Sequence, residues 1–244
     1  MHSDDVKLSF VTCVTDLKVF QDRLLASPCL QRGGHTLTAI HHVASAAAGF
    51  NPALKAAAPG SWLVWVHQDV FLPQGWITRF AQALMQAQAQ FPKLAVAGVY
   101  GIAGAGPDAR RAGHVLDRGA LLREPAVLPC LVDSLDELLF AVRVDTGLRL
   151  DPALGFDLYA TDLVLQAQAA GWQCAVVDAY CEHWSATPVV SEALPAATVK
   201  RILSSARVLE KKWASRLPIA TPCLQINQPG DVAALFQRML GSAS

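Results

Sequence analysis

The residues best suited to chemistry stand at the end of a short apolar run, in Trp65-Val66-His67-Gln68-Asp69-Val70-Phe71-Leu72-Pro73. Side chains two apart on a strand project to the same side, so His67 and Asp69 should emerge together. An imidazole and a carboxylate placed that way can hold a divalent cation or the ribose of a nucleotide, and they can equally well serve only to satisfy a strand end. A second carboxylate, Asp162, falls in the first turns of a helix within Gly155-Phe156-Asp157-Leu158-Tyr159-Ala160-Thr161-Asp162, with Asp157 expected as the N-cap. The positive helix end keeps such a group ionised and able to take a proton, although acidic residues also favour helix starts for stability alone. A third group is Tyr180-Cys181-Glu182-His183-Trp184, where alternation puts Glu182 opposite His183. Gly104-Ala105-Gly106-Pro107-Asp108-Ala109 loosely fits a dinucleotide fingerprint. It lacks the following amphipathic helix that would seat a pyrophosphate.

The elements that must position these residues are legible in the hydrophobic periods. Leu8 to Val14 is a β-branched apolar run followed by Leu17, Phe20, Leu24 and Leu25 at helical spacing. Thr36–Val43 and an alanine-rich helix ended by Pro59-Gly60 come next. Trp62–Val66, a helix striped by Ile77, Phe80, Ala81, Leu84 and Met85, and Leu94–Val99 complete the first hundred residues. Repeated strand–helix units whose strands are apolar on both faces predict a parallel sheet covered on two sides. Ligands bind such sheets beyond the carboxyl ends of the strands. Residues 107–131 read as a loop or inserted hairpin over that crevice. Ser134-Leu135-Asp136-Glu137 has the spacing of a capping box, which predicts a helix with Leu135, Leu138, Leu139 and Val142 inward and makes Glu137 a cap. Beyond Pro195, Val199, Ile202, Leu203, Ala206, Leu209 and Trp213 recur at helical spacing with basic residues between them.

Composition narrows the classes. In 244 residues, 52% are hydrophobic and 16% charged, which excludes disorder for most of the chain. Twenty basic side chains balance twenty acidic ones, so no overall field draws the protein to nucleic acid. Membrane contact is confined to the basic stripe at residues 200–216, whose plainer reading is a solvated helix face. The longest apolar stretch is too short to span a bilayer, and Met1-His2-Ser3-Asp4-Asp5 lacks the positive start of a leader, so cytoplasm is the default compartment. The cysteines are scattered with no paired metal hook and are expected as reduced thiols. The low charge content leaves surface for a homodimer.

Taken in order, several segments resemble a family 2-type glycosyltransferase of GT-A fold, most closely the glycosyltransferase-like group related to streptomycin-biosynthesis proteins. They are Phe10-Val11-Thr12-Cys13-Val14-Thr15-Asp16, Ala48-Gly49-Phe50-Asn51-Pro52, Val66 to Trp76, Leu135 to Phe140, Leu154 to Asp162 and Ala179 to His183. The resemblance implies an α/β, GT-A-like domain over residues 1–190, with a mostly parallel central sheet and helices on both faces, then a C-terminal helical tail over 191–244. It implies binding of a nucleoside-diphosphate sugar donor, inverting transfer to a hydroxyl acceptor, and a divalent cation, manganese or magnesium. Thr12 and Cys13 match the nucleotide-facing first loop, Asn51 a position on the second helix, and His67-Gln68-Asp69 the family's Asp-x-Asp. Asp69 is then the metal ligand with His183 as a second, and Asp162 the base that deprotonates the acceptor. The departures are His67 for the first carboxylate, a first loop without its usual proline, and no acidic residue after the second strand. They leave room for a non-catalytic nucleotide-sugar sensor or scaffold on the same fold.

Overall fold

The computed structural model describes residues 6–31, 34–185 and 194–241. The expected boundary near residue 190 and the N-terminal residues 1–5 lie outside them. The chain opens with β1 (Leu8–Val14), α1 (Leu17–Asp22), the short α2 (Pro28–Gln31) and β2 (Thr36–His41). Asp16 starts α1 by accepting the Val19 amide, and Ser45 does the same for α3 (Ala46–Ala56) through the Ala48 amide. β3 (Trp62–Val66), β4 (Val70–Phe71), α4 (Trp76–Gln90), β5 (Leu94–Gly98) and β6 (Tyr100–Ala103) follow. β7 (Arg110–Asp117) and β8 (Ala120–Arg123) form the inserted hairpin, turning at Arg118 (φ 50°) and Gly119 (φ 81°), the left-handed pair that a tight hairpin requires. β9 (Cys130–Leu131), β10 (Ser134–Leu135), β11 (Leu139–Arg143), α5 (Tyr159–Ala169), β12 (Gln173–Val176) and β13 (Cys181–His183) complete the sheets. The C-terminal part is α6 (Ala196–Lys212), β14 (Ile219–Ala220), β15 (Gln225–Ile226) and α7 (Asp231–Gly241).

The central sheet has the order β2-β1-β3-β11-β5-β12-β9. β1 pairs in parallel with β2 and β3, and β5 with β12; β11 runs antiparallel between β3 and β5, and β9 antiparallel on β12. The sheet is therefore mixed. Alternate strand residues feed opposite faces. Phe10, Val64 and Val66 pack with Phe20 of α1 and with Trp76, Phe80 and Leu84 of α4. Val11, Leu63 and Trp65 pack with Phe50 and Leu54 of α3 and with Tyr159, Leu163 and Val164 of α5. Helices thus cover both faces, as the doubly apolar strands require.

The helix expected from Ser134 onward is replaced by β10, a turn and β11. Leu139–Val142 are wholly buried on both faces between two neighbouring strands, and that burial outweighs a local capping pattern. The Ser134 hydroxyl meets that of Thr161 at 2.8 Å instead of capping a helix. Nor does Asp157 cap α5: that place is taken by Leu158 at φ 65°, while Asp157 forms a two-pronged pair with Arg201, 2.8 and 3.1 Å.

A second sheet, β10-β6-β7-β13-β4, stands beyond the ends of the first. The C-terminal part builds its own small core from Val199, Ala206, Leu209, Ile219, Ile226, Val232 and Phe236, and shares Leu165 of α5 with it.

Candidate metal centre in the crevice

After β3 the chain does not stay extended. The Val70 amide bonds back to the His67 carbonyl at 3.2 Å, closing a turn that places His67, Gln68 and Asp69 beyond the sheet. The His67 amide is held by the Leu138 carbonyl, 2.9 Å, so β11 fixes where the turn begins. β13 lies between β7 and β4 in the second sheet, with His183 opposite Asp117 on one side and Val70 on the other. That register delivers His183 to the turn, and the Trp184 amide locks it by bonding the Asp69 carbonyl at 2.9 Å.

The result is a cluster in which His67, Asp69 and His183 each present a ligand atom, all within 4.8 Å of one another. His183 Nδ1 is 2.8 Å from Asp117 Oδ1, which leaves Nε2 facing Asp69 Oδ1 at 3.4 Å. Asp69 Oδ1 is out of solvent, and this long approach of His183 is its one polar contact among the described residues. His67 Nε2 is 2.7 Å from the Tyr159 hydroxyl, which also accepts the Trp65 indole at 3.1 Å. With Nε2 so engaged, Nδ1 is the His67 nitrogen left for a ligand.

The electrostatics follow from this wiring. For His67, burial outweighs the nearby Asp69 carboxylate and holds the imidazole neutral, lowered to about 4. Burial would lower His183 too, but the hydrogen bonds to Asp117 and Asp69 together with the Asp69 charge prevail, raising it to about 9. Asp69 is pulled down to about 2, its burial overcome by the bond to His183 and the charges of the two histidines. Asp69 Oδ1 and neutral His67 offer a carboxylate oxygen and an imidazole nitrogen to a divalent cation, and His183, a cation while it faces Asp69, joins them as a ligand only by giving up its Nε2 proton, with Asp117 then holding its far nitrogen.

Asp117 and Tyr159, which contact the two histidines, are not singled out by the sequence, and Glu137, read there as a cap, lies close by. Asp117 ends a hairpin strand and its partner lies 66 residues away, so no local pattern marks it. Glu137 precedes β11 with its carbonyl receiving the Trp65 indole at 3.1 Å, and its Oε1 is buried and unpartnered. Burial first, then Asp157 and Asp136, push its carboxyl well above the ordinary range, against the amides of Ala160 and Tyr159. Glu182 faces away, bonding the Trp184 indole at 3.0 Å.

Other expected site residues are placed elsewhere or differently engaged. Asp162 does not join the cluster. It is 0% exposed, with Lys212 Nζ 2.8 and 3.0 Å from its two oxygens, the Trp213 indole at 2.7 Å and the Gln166 amide at 2.6 Å. Every lone pair faces a donor from α5 or the C-terminal part, so in this arrangement Asp162 is a fastening. Asn51 spends its side-chain oxygen and nitrogen on the Leu150 amide and carbonyl, both at 2.9 Å. Gln68 accepts the Thr15 and Asp16 amides at 2.9 and 3.0 Å and donates to the Thr15 hydroxyl at 2.8 Å, so it staples the first loop to the His67–Asp69 turn. Thr12 is buried in β1 with its hydroxyl unpartnered. Cys13 is half-buried, and burial pushes its thiol up to about 11. Gly104 to Asp108 make a tight turn held by Asp133 and no docking helix, so the loose dinucleotide fingerprint has no phosphate-binding context.

With seven central strands, helices on both faces and a second sheet across the strand ends, the fold is a mixed α/β, GT-A-like one. The solved structure of GalNAc-T7 with UDP, GalNAc and Mn2+ superposes with a TM-score of 0.50 at 11% identity, over 86% of this chain and 50% of that one. A structure of S. aureus TarS 1–349 with UDP-GlcNAc gives a TM-score of 0.43 at 11% identity, over 86% and 73% of the two chains. Among curated proteins, "ATP synthase subunits region ORF 6" of Fuscovulum blasticum is 30% identical over 139 residues, 51% of this chain and 52% of that protein. The chain thus spans about half the length of that relative and of the GalNAc-T7 chain. No family model matches.

Proposed function

We propose that this chain transfers a glycosyl group from a nucleoside-diphosphate sugar to a hydroxyl acceptor, with a divalent cation, manganese or magnesium, held by His67, Asp69 and His183. The observation that carries the reading is the convergence of His67, Asp69 and His183, their ligand atoms all within 4.8 Å of one another, at the strand ends of a GT-A-like fold. A cation bound there supplies electrostatic stabilisation of the negative charge that builds on the departing diphosphate. Asp117 orients His183 and Tyr159 orients His67, so the ligand atoms are set before any donor arrives. The Gln68 staple, with Thr12 and Cys13 of β1, shapes the nucleotide side of the crevice. An inverting course needs a carboxylate to accept the proton of the acceptor hydroxyl as its oxygen attacks the anomeric carbon. Asp162 is tied up by Lys212 and Trp213. Glu137 has a buried, unpartnered oxygen, but burial pushes its carboxyl well above the ordinary range, so it holds a proton rather than accepting one and is no substitute for Asp162 in that role.

The test is a panel of nucleotide sugars screened by thermal shift with and without manganese, followed by donor hydrolysis. A donor whose stabilisation requires metal and is lost in Asp69→Ala is the expected result. Identical donor affinity with and without metal overturns the cation assignment. Metal-dependent donor binding without any hydrolysis or transfer favours the sensor or scaffold reading, to which the histidine at position 67 lends support.

A further inference from the structure

The segment from Leu154 to Tyr159 joins the His67–Asp69–His183 cluster to the C-terminal part, and its residues are divided between the two. Leu154, Phe156 and Tyr159 pack into the central core with Phe50 and Trp65. Leu158 packs against the C-terminal core instead. Asp157 is gripped by Arg201 of α6 through Nε and Nη2, at 2.8 and 3.1 Å. The Gly155 amide meets the Ser205 hydroxyl of the same helix at 3.4 Å, while its carbonyl accepts the Ala46 amide at 3.0 Å.

The chain changes sides at Leu158, whose backbone is left-handed, φ 65° and ψ 7°. A bulky residue without a local hydrogen bond of its own adopts that conformation against its preference, so contacts from outside the segment have to hold it. Here those contacts come from the C-terminal part, which buries the Leu158 side chain and pins Asp157 just before it.

Tyr159 follows directly. Its hydroxyl lies 2.7 Å from His67 Nε2, 3.1 Å from the Trp65 indole nitrogen and 3.4 Å from the Glu137 carbonyl. The residue is 1% exposed, and a ring so enclosed cannot swing to absorb a change in the backbone that carries it. A shift at Leu158 is therefore passed to the His67 imidazole.

We infer that the C-terminal part sets the His67 ligand, with Arg201 and Leu158 as positioning residues that act through Tyr159. The inference rests on the proposed cation only for what His67 binds; where the ring is held is a property of the metal-free chain and is measured there.

The reporters in the full metal-free chain are the Trp65 indole N–H and the His67 ring nitrogens, followed by NMR, and calorimetry then gives the manganese affinity of the same proteins. Arg201→Gln breaks the pair at a half-exposed position, so the fold should survive it. Leu158→Asn keeps a residue that tolerates the left-handed backbone and removes the apolar anchor. Both should displace the Trp65 and His67 signals, and both should weaken manganese about tenfold, the low end for groups that orient metal-ligating histidines. Arg201→Lys keeps the charge and should recover part of the affinity. Arg207→Gln, at an exposed position of the same helix, should match the unaltered chain in every readout. Unmoved Trp65 and His67 signals in both variants overturn the inference, as do signals that move while manganese affinity holds. An equal effect of Arg207→Gln also overturns it, since that would report a general loosening of α6. Displaced signals in a chain that binds no manganese even when unaltered sink the cation reading alone.

Discussion

Asp117 acts on the cluster through His183 alone. It holds Nδ1 of His183 at 2.8 Å and thereby commits Nε2 to the cluster. Replacing it with asparagine removes the charge that favours this orientation while keeping the size. Asp117→Asn should lower manganese affinity about 10- to 100-fold by calorimetry, the range for partners of metal-ligating histidines. Unchanged affinity would show that His183 needs no such orientation. Asp162 is the opposite case, a carboxylate expected at the crevice and found beneath it. Asp162→Asn keeps an acceptor for Trp213 but strips the ion pair from Lys212, and it should cost about 1–3 kcal/mol in urea unfolding. Loss of turnover with stability intact would return Asp162 to the role of base.

Among elements, α6 and the residues just after it are tied by polar contacts to α5 and to the loop that precedes it. Besides the Lys212–Asp162 pair, Lys212 Nζ reaches Asp151 at 2.7 Å, and Arg216 bonds Gln168 at 3.2 Å. The basic stripe of residues 200–216 is thereby partly consumed by the protein itself, since Arg201 is also paired with Asp157. The hydrogen bond from Lys212 holds the Asp151 carboxyl below its ordinary range. A folded-state pKa below the unfolded value contributes stability that is complete above the ordinary carboxylate value near 4 and is lost as pH falls through the depressed one. Hydrogen exchange in α6 should therefore quicken as pH is lowered from about 5 toward 3, after correction for intrinsic rates, and Asp151→Asn should flatten that dependence. An α6 whose protection ignores pH in both proteins would show that this bridge does not hold the tail.

For the whole molecule, the decisive feature is that its parts share residues. Leu165 of α5 belongs to the C-terminal core, Asp162 anchors Lys212 and Trp213, and Arg111 and Gly106 grip the β14–β15 hairpin through Pro222 and Gln225. Urea unfolding should show one transition, coincident by tryptophan fluorescence and far-UV circular dichroism. Two separated transitions would mean that the tail folds as an independent unit. All six cysteines are unpaired, so a reducing agent should leave the midpoint unchanged. Among the described residues no helix is long and apolar enough to cross a membrane.

The sequence by itself determined β1, β2, β3 and β5, the helices α1, α3 and α4 among them, and α5 and α6 further on, and it put forward His67, Asp69 and His183 as candidate site residues. Periodicity reports which face of a segment is buried, and that is a local property. What only the tertiary structure decided was the partner of each segment. The capping pattern at Ser134–Glu137 starts no helix, because the residues after it form β11, whose two faces are buried between neighbouring strands. Asp162 sits at a helix start in either arrangement, and whether it meets solvent or Lys212 depends on where a helix some 50 residues later comes to rest. Asp117 reached His183 only through the parallel register of β7 and β13, 66 residues apart, since pairing across a sheet leaves no trace in the spacing of residues along the chain.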